Sequence, residues 1–438
     1  AFLGLALVTC HGDEAMQMYM SGDYATVFLD GNAASLASTG PYFIDSDPHL
    51  RILNGTINRQ AIGLAWHMAG YTRADLPPAP GWDWGLSYAD DVATGHRPTE
   101  HQLVVARIPS ALLLAASVAV MFAPSQRVGG RAVAYGATAL YTLNPVVLVN
   151  GRRAMQEGAL LFFGLLAVYA ACLIVQHLRT DDARPRSAVA QFWRWALLAL
   201  ACGLTLASKH SGIVFVAAAL GWVVTGGLLR AWAGRGRLRR IALLVLQTAF
   251  AGLAAVGLFV ALSPALWNDP LARFSDLLAV RAELIDIQVA AYSSTALTLD
   301  ARISAILTQP FMTPTAHFET DVFDVPPMQA EIARYMASPL SGVQFGSAGA
   351  ALELLSLIGI VGIAFWLLRR GRARATAAGL LVWLAVTVAS LLANPLPWQR
   401  YYLSLIPVVS LLAVIGGLWL LRRLGANVYV EPAGSDPE

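Results

Sequence analysis

AFLGLALVTCHGDE, residues 1–14, runs an apolar stretch through Cys10, His11 and Gly12 into two adjacent carboxylates, Asp13 and Glu14. Charges at a helix centre in a bilayer cost roughly 2.5–3.5 kcal/mol each. They persist where they pair, reach water or do chemistry. Residues 1–9 are too short to span a membrane, and the chain starts without Met. Signal-peptide cleavage would hardly leave an apolar run at a new N-terminus. The stretch therefore reads as the tail of a truncated transmembrane helix, with both acids at the bilayer rim.

The rest of the chain supports a membrane setting. Hydrophobic residues make up 57% and charged residues 13%, with a mean hydropathy of +0.57. Soluble domains carry about 25% charged residues, so that class is excluded. Apolar runs long enough to cross hydrocarbon lie at 103–122, 132–150, 155–176, 192–207, 211–229, 241–263, 350–368, 375–393 and 402–421. With the N-terminal remnant, about ten helices are expected. The predicted fold is all-α and polytopic, one integral membrane domain over residues 1–438.

Arginines orient it. Arg127 and Arg131, then Arg179, Arg184 and Arg186, then Arg230, Arg235, Arg237, Arg239 and Arg240 fall in alternate loops. Arg369, Arg370, Arg372 and Arg374, and finally Arg422 and Arg423, continue the series. Basic loops stay in the cytoplasm, so both termini are expected there. Residues 10–101 and 264–348 then form two long extracytoplasmic loops. Within them, 50–70 and 271–290 could be interfacial helices. Cys10, Cys172 and Cys202 have no metal or disulfide spacing and read as core residues. No P-loop, dinucleotide-binding pattern, internal repeat or nucleic-acid signature is present.

Four polar groups fall at outer helix ends. Besides Asp13 and Glu14, NGRRAMQEG (150–158) places Arg152 and Arg153 against the positive-inside trend. Such a pair could grip a phosphate, or Glu157 could pair with one of them on the same helix face. Lys209, the only lysine, ends TLASK (205–209) at a helix turn; a snorkelling role is the plain alternative. Arg400 enters the last helix among Trp398, Tyr401 and Tyr402, an interfacial aromatic belt. Cations on this face fit a phosphate-bearing lipid, and the acids fit a second substrate. Asn54-Gly55-Thr56 matches a glycosylation sequon and carries no weight here.

The acid pair after the first helix, the large first loop and the multi-helix body resemble the GT-C glycosyltransferases. The chain is most similar to family 39, which includes protein O-mannosyltransferases and the lipid A aminoarabinose transferase. GRRAMQEGALLF (151–162) resembles the mannosyltransferase segment in which an Arg precedes an acid by five residues, although Glu157 stands where Asp is usual. GLTLASKHSG (203–212) resembles the family's Gly-rich segment ending in lysine. ALSPALWNDP (261–270) resembles its Pro-aromatic-Asp-Pro stretch, with Asp269 as the acid. No large soluble domain interrupts the second loop, which favours a bacterial or archaeal type.

The resemblance implies a polyprenyl-phosphate sugar donor and a hydroxyl acceptor on a protein, lipid or glycan. Asp13 would take the acceptor's proton, and Glu14 would orient it or a neighbouring cation. Arg152 and Lys209 would stabilise the departing phosphate, with Arg153 and Arg400 as helpers and Glu157 and Asp269 in support. Some relatives bind a divalent metal, so a metal stays open. A transporter or flippase of lipid-linked sugars would use the same outer charges, but its inverted repeats and broken midplane helices are not evident. A non-catalytic subunit would keep the fold and lose the acid, which is intact.

Overall fold

In hydrocarbon only a helix satisfies backbone polar groups within one segment, and the apolar runs fold accordingly. The structure is a computed structural model that describes residues 2–178, 187–232, 236–291, 296–319, 321–369 and 372–426. Among these residues every regular element is helical. Those before the membrane body are α1 (Gly12–Met20), α2 (Asp47–Leu53), α3 (Thr56–Met68) and α4 (Tyr88–Ala93). The body comprises α5 (Glu100–Leu143), α6 (Pro145–Arg152), α7 (Glu157–His177), α8 (Ala188–Ser208), α9 (Ile213–Ala231) and α10 (Arg237–Leu262). A second group of helices, α11 (Pro270–Ala291), α12 (Leu299–Thr308) and α13 (Pro326–Met336), precedes α14 (Ser347–Leu368), α15 (Arg372–Ala393) and α16 (Ile406–Arg423).

Eight helices among the described residues are long and apolar enough to cross a membrane, which makes this an integral membrane protein. The first of them, α5, is two limbs of a hairpin. Gly129 and Gly130 leave helical geometry, Gly130 with φ 80°, a backbone region that suits glycine. The chain reverses there, since Phe122 meets Tyr135 at 5.1 Å between ring centroids and Ser117 Oγ lies 2.7 Å from the Tyr141 hydroxyl. The returning limb breaks again at Asn144, whose Oδ1 caps α6 by accepting from the Val146 and Val147 amides. The expected span 132–150 is thus a broken one.

Helix α7 sits centrally against α5, α8 and α9, while α14 packs on α16 and α15 on α9. Buried Phe215, Trp222 and Trp383 fill the α9–α15 seam. All three cysteines are buried and free. Large apolar residues facing outward on α10, such as Leu246, Phe250 and Leu253, suit lipid rather than water.

Two sequence expectations change. Residues 2–9 are not the end of a helix: only Phe2–Gly4 forms a short 3-10 turn. Arg107 takes the Leu5 and Thr9 carbonyls, and Arg153 also takes that of Thr9. Those carbonyls therefore serve side chains instead of helical amides, and the segment lies at the end of the bundle that carries Arg152 and Arg153. The stretch 50–70 is two helices, because Asn54 is extended (φ −114°, ψ 140°) between α2 and α3. Its Ile62 and Trp66 pack on Leu103, Val105 and Ala106 of α5. Arg179, Arg184, Arg186, Arg235 and Arg370 lie outside the described residues; the Arg372 side chain does also.

Candidate active site

The turn into α1 is organised by its own polar side chains. His11 caps the helix, its Nδ1 accepting from the Asp13 amide at 3.0 Å, while Glu14 Oε2 accepts from the His11 amide at 3.0 Å. This reciprocal box satisfies two amides that a helix start otherwise leaves unpaired. Glu14 does more. It is fully buried, receives Arg107 through both oxygens (2.7 and 2.8 Å) and accepts from the Ala154 amide at 2.8 Å. Burial raises its carboxyl pKa, but Arg107 outweighs that and holds it below the usual range. Glu14 thereby ties α1 to α5 and to the α6–α7 turn. It does not reach the cavity described below, so a direct catalytic contact is replaced by an anchoring one.

Asp13 points the other way. Its side chain is 26% exposed and pairs through Oδ2 with Arg400. Arg400 Nε also lies 3.1 Å from Glu319 Oε1. Because His11 Nδ1 is an acceptor, its Nε2 carries the proton and donates to Glu319 Oε2 at 2.7 Å. His11 further stacks on Phe318, with centroids 5.8 Å apart. Burial works against ionised Asp13, yet Arg400 keeps its pKa below the ordinary carboxylate value. Glu319 is lowered in the same way, against burial, chiefly by Arg400. Asp13 Oδ1 accepts no hydrogen bond from the described residues.

These groups border a cavity of about 340 Å³ whose wall also includes Glu157, Lys209, Trp398 and Arg281. Lys209 Nζ donates to Glu157 Oε1 at 2.5 Å, so Glu157 pairs with the lysine and not with an arginine of its own turn. Two Lys209 N–H groups have no partner among the described residues. Arg281, from α11, has no hydrogen bond or ion pair among the described residues and faces the same space. Two glycines make the convergence possible. A Cβ on Gly55 would lie 2.0 Å from the Ser208 carbonyl, and one on Gly158 would lie 2.3 Å from that of Ser110. Gly55 thus brings the α2–α3 turn beside Lys209, and Gly158 seats the start of α7 against α5.

Three predicted residues stand elsewhere. Arg152 is 3% exposed and donates to the Tyr335 hydroxyl (2.9 Å) and the Leu340 carbonyl (2.6 Å). Arg153 is 1% exposed, donates to Thr9 Oγ1 (2.9 Å) and the His317 carbonyl (2.7 Å), and covers the Phe318 ring. Both pin the second group of helices and loops to the α6 turn, and neither borders the cavity. Their guanidiniums are engaged by hydroxyls and carbonyls of Thr9, His317, Tyr335 and Leu340, away from the cavity. Asp269 is exposed at φ 57°, its Oδ1 accepting from the Ala272 amide at 3.3 Å. It starts α11 and does not line the cavity.

Arg107, Arg281 and Glu319 are the partners that sequence inspection passed over. Arg107 had a signal, a single cation inside the apolar run LVVARIPSALLL. Glu319 and Arg281 had none, being unremarkable charges in a long loop. As a metal site the donor set does not fit: Asp13 and Glu319 both face the Arg400 guanidinium. No group of three or more His, Cys, Asp or Glu among the described residues is placed to hold an ion.

Residues 85–267 match the family model described as dolichyl-phosphate-mannose-protein mannosyltransferase. That stretch is under half of the chain; it includes Glu157 and Lys209 and starts after Asp13. Among solved structures, the oligosaccharyltransferase AglB of Archaeoglobus fulgidus, in complex with an inhibitory peptide and a dolichol-phosphate, aligns with a TM-score of 0.51. The identity is 13%, over 97% of this chain and 49% of that one. The apo form of the Archaeoglobus fulgidus oligosaccharyltransferase gives 0.52 at 12% identity, over 94% and 48%. The chain spans about half the length of these structures. No curated protein matches its sequence. The chain therefore has the GT-C glycosyltransferase fold and is related, over residues 85–267, to the dolichyl-phosphate-mannose-protein mannosyltransferases.

Proposed function

We propose that the protein transfers a monosaccharide from a polyprenyl-phosphate donor to a hydroxyl of a protein acceptor, with inversion, on the extracytoplasmic side. The observation that carries this reading is the pairing of opposites in one cavity. An ionised carboxylate, Asp13, shares the space with two cations, Lys209 and Arg281. The family matched over 85–267 is named for a dolichyl-phosphate-mannose donor and a protein acceptor.

In the reaction the acceptor oxygen forms its bond to the anomeric carbon as the bond from that carbon to the phosphate oxygen breaks. The hydroxyl proton passes to Asp13 Oδ1, the oxygen left open beside Arg400. The electron pair leaves with the phosphate, whose growing charge Lys209 and Arg281 offset. Arg400 keeps Asp13 ionised, and Glu319 holds Arg400 and His11 in place. One displacement inverts the anomeric centre. The outward assignment rests on Arg127, Arg230, Arg422 and Arg423, which sit at the helix ends opposite the cavity, where cytoplasmic arginines are expected.

The test uses purified protein in liposomes, radiolabelled polyprenyl-phosphate monosaccharides and serine- and threonine-containing peptides. Label on the peptide is the expected result. Movement of intact donor across the bilayer without transfer would replace this reading with a transporter.

A further inference from the structure

A chain of three side-chain amides crosses the cavity wall between the acid and the lysine. Asn54 Oδ1 accepts from Gln17 Nε2 at 3.1 Å and from Gln156 Nε2 at 2.8 Å. Asn54 Nδ2 donates to the Leu50 carbonyl at 3.0 Å, and Asn58 Nδ2 donates to Gln17 Oε1 at 3.1 Å. Amide oxygen and nitrogen are ordinarily interchangeable by a flip, but here the Leu50 carbonyl decides. A carbonyl can only accept, so Asn54 must present its nitrogen to it. Its oxygen then faces both glutamines, which must both present nitrogen. Gln17 must in turn offer its oxygen to Asn58. One backbone group therefore fixes the polarity of the whole chain.

What remains is a fixed set of unused groups. Gln156 keeps its oxygen and one N–H, and Gln17 keeps one N–H, none with a partner among the described residues. All three amides line the cavity. Their place in the chain gives them meaning. Gln17 lies one helical turn beyond Asp13 on the same face of α1, and Gln156 precedes Glu157, the partner of Lys209.

We infer that Gln17, Asn54 and Gln156 form the element that recognises the hydroxyl groups of the transferred glycosyl group. The inference rests on the proposed transfer reaction. In that reaction the sugar must lie between the departing phosphate and the incoming acceptor, which is where the amides are. Hydroxyls donate and accept, and a fixed amide set can pair with both modes.

The experiment measures binding of decaprenyl phosphate and of its mannosyl and glucosyl esters to the intact protein in detergent. Wild type is expected to prefer a glycosyl ester over bare decaprenyl phosphate. Q156A is expected to lower that preference roughly 3- to 10-fold, the worth of a neutral hydrogen bond or two, while binding bare decaprenyl phosphate normally. Retained affinity for the bare lipid also shows that the variant is folded. If Q156A weakens both ligands together, Gln17→Met, which removes the polar atoms at similar volume, decides by the same ratio. An unchanged ratio in a folded variant, or parallel loss of both ligands in the two variants, overturns the assignment. Transfer by wild type with no ester preference also overturns it and leaves the reaction standing. No binding of any of these lipids, with no transfer, removes the reaction itself.

Discussion

Asp13 and Arg400, separated by 387 residues in sequence, meet in an ion pair at the wall of the cavity. Arg400 is itself shared with Glu319, so one guanidinium joins the first helix, the second long loop and the entry to the last helix. The carboxylate expected to do chemistry is thus held ionised by a residue from the far end of the chain.

Removing Arg400 changes the pH profile. Folding lowers the Asp13 pKa, so its ionised form is favoured. That contribution to stability is complete above the unfolded carboxylate value of about 3.9 and is lost as pH falls through the lower folded value. Wild-type transfer should therefore show no acid limb from Asp13 above about pH 4. In Arg400→Gln the attraction is gone and burial remains, so the pKa rises and the limb moves to higher pH. A rate profile with an unmoved limb would contradict this.

Glu14 and Asp13 are adjacent, yet their substitutions should separate. Glu14→Gln breaks a buried pair with Arg107 and leaves that cation uncompensated, at a cost of about 3–5 kcal/mol. Thermal unfolding in detergent should show a large drop for Glu14→Gln and a small one for Asp13→Asn. Equal melting temperatures would refute the division of roles.

Lys209→Met should leave Glu157, 1% exposed, unpaired and lower stability. Adding Glu157→Gln should recover stability, since a neutral amide tolerates burial better than a lone charge. Donor affinity should stay low in the double variant. Recovery of both together would show that Lys209 serves only the fold.

Arg281→Ala removes a cavity cation with no ion-pair partner among the described residues, so little stability should be lost. Binding of bare polyprenyl phosphate should weaken about 10-fold or more, as for a charged hydrogen bond worth roughly 1.5–3 kcal/mol. Normal affinity would exclude Arg281 from phosphate contact.

The apolar runs made most of the helices legible, because length and hydropathy suffice when hydrocarbon dictates internal hydrogen bonding. The Gly129–Gly130 reversal falls in the Arg127–Arg131 connection that hydropathy placed between two spans, whereas the Asn144–Pro145 break lies inside the apolar run 132–150 and does not show in hydropathy. Asp13, Lys209 and Arg400 were legible as charges out of place. Arg152 and Arg153 looked alike in sequence, but their targets are the Leu340 and His317 carbonyls, contacts made only when the loops close over α6. Glu319 could not be found from spacing, since its meaning comes from His11 and Arg400. The Gln17–Asn54–Gln156 chain is likewise built from three separate segments.

Transfer by Asp13→Asn is the most direct test of the central claim. Initial rates are measured in liposomes at saturating donor and peptide, alongside donor binding. The account predicts a loss of about 10²- to 10⁴-fold in rate, as for removal of a general base, with donor affinity nearly unchanged. Near-normal turnover in the variant would contradict it.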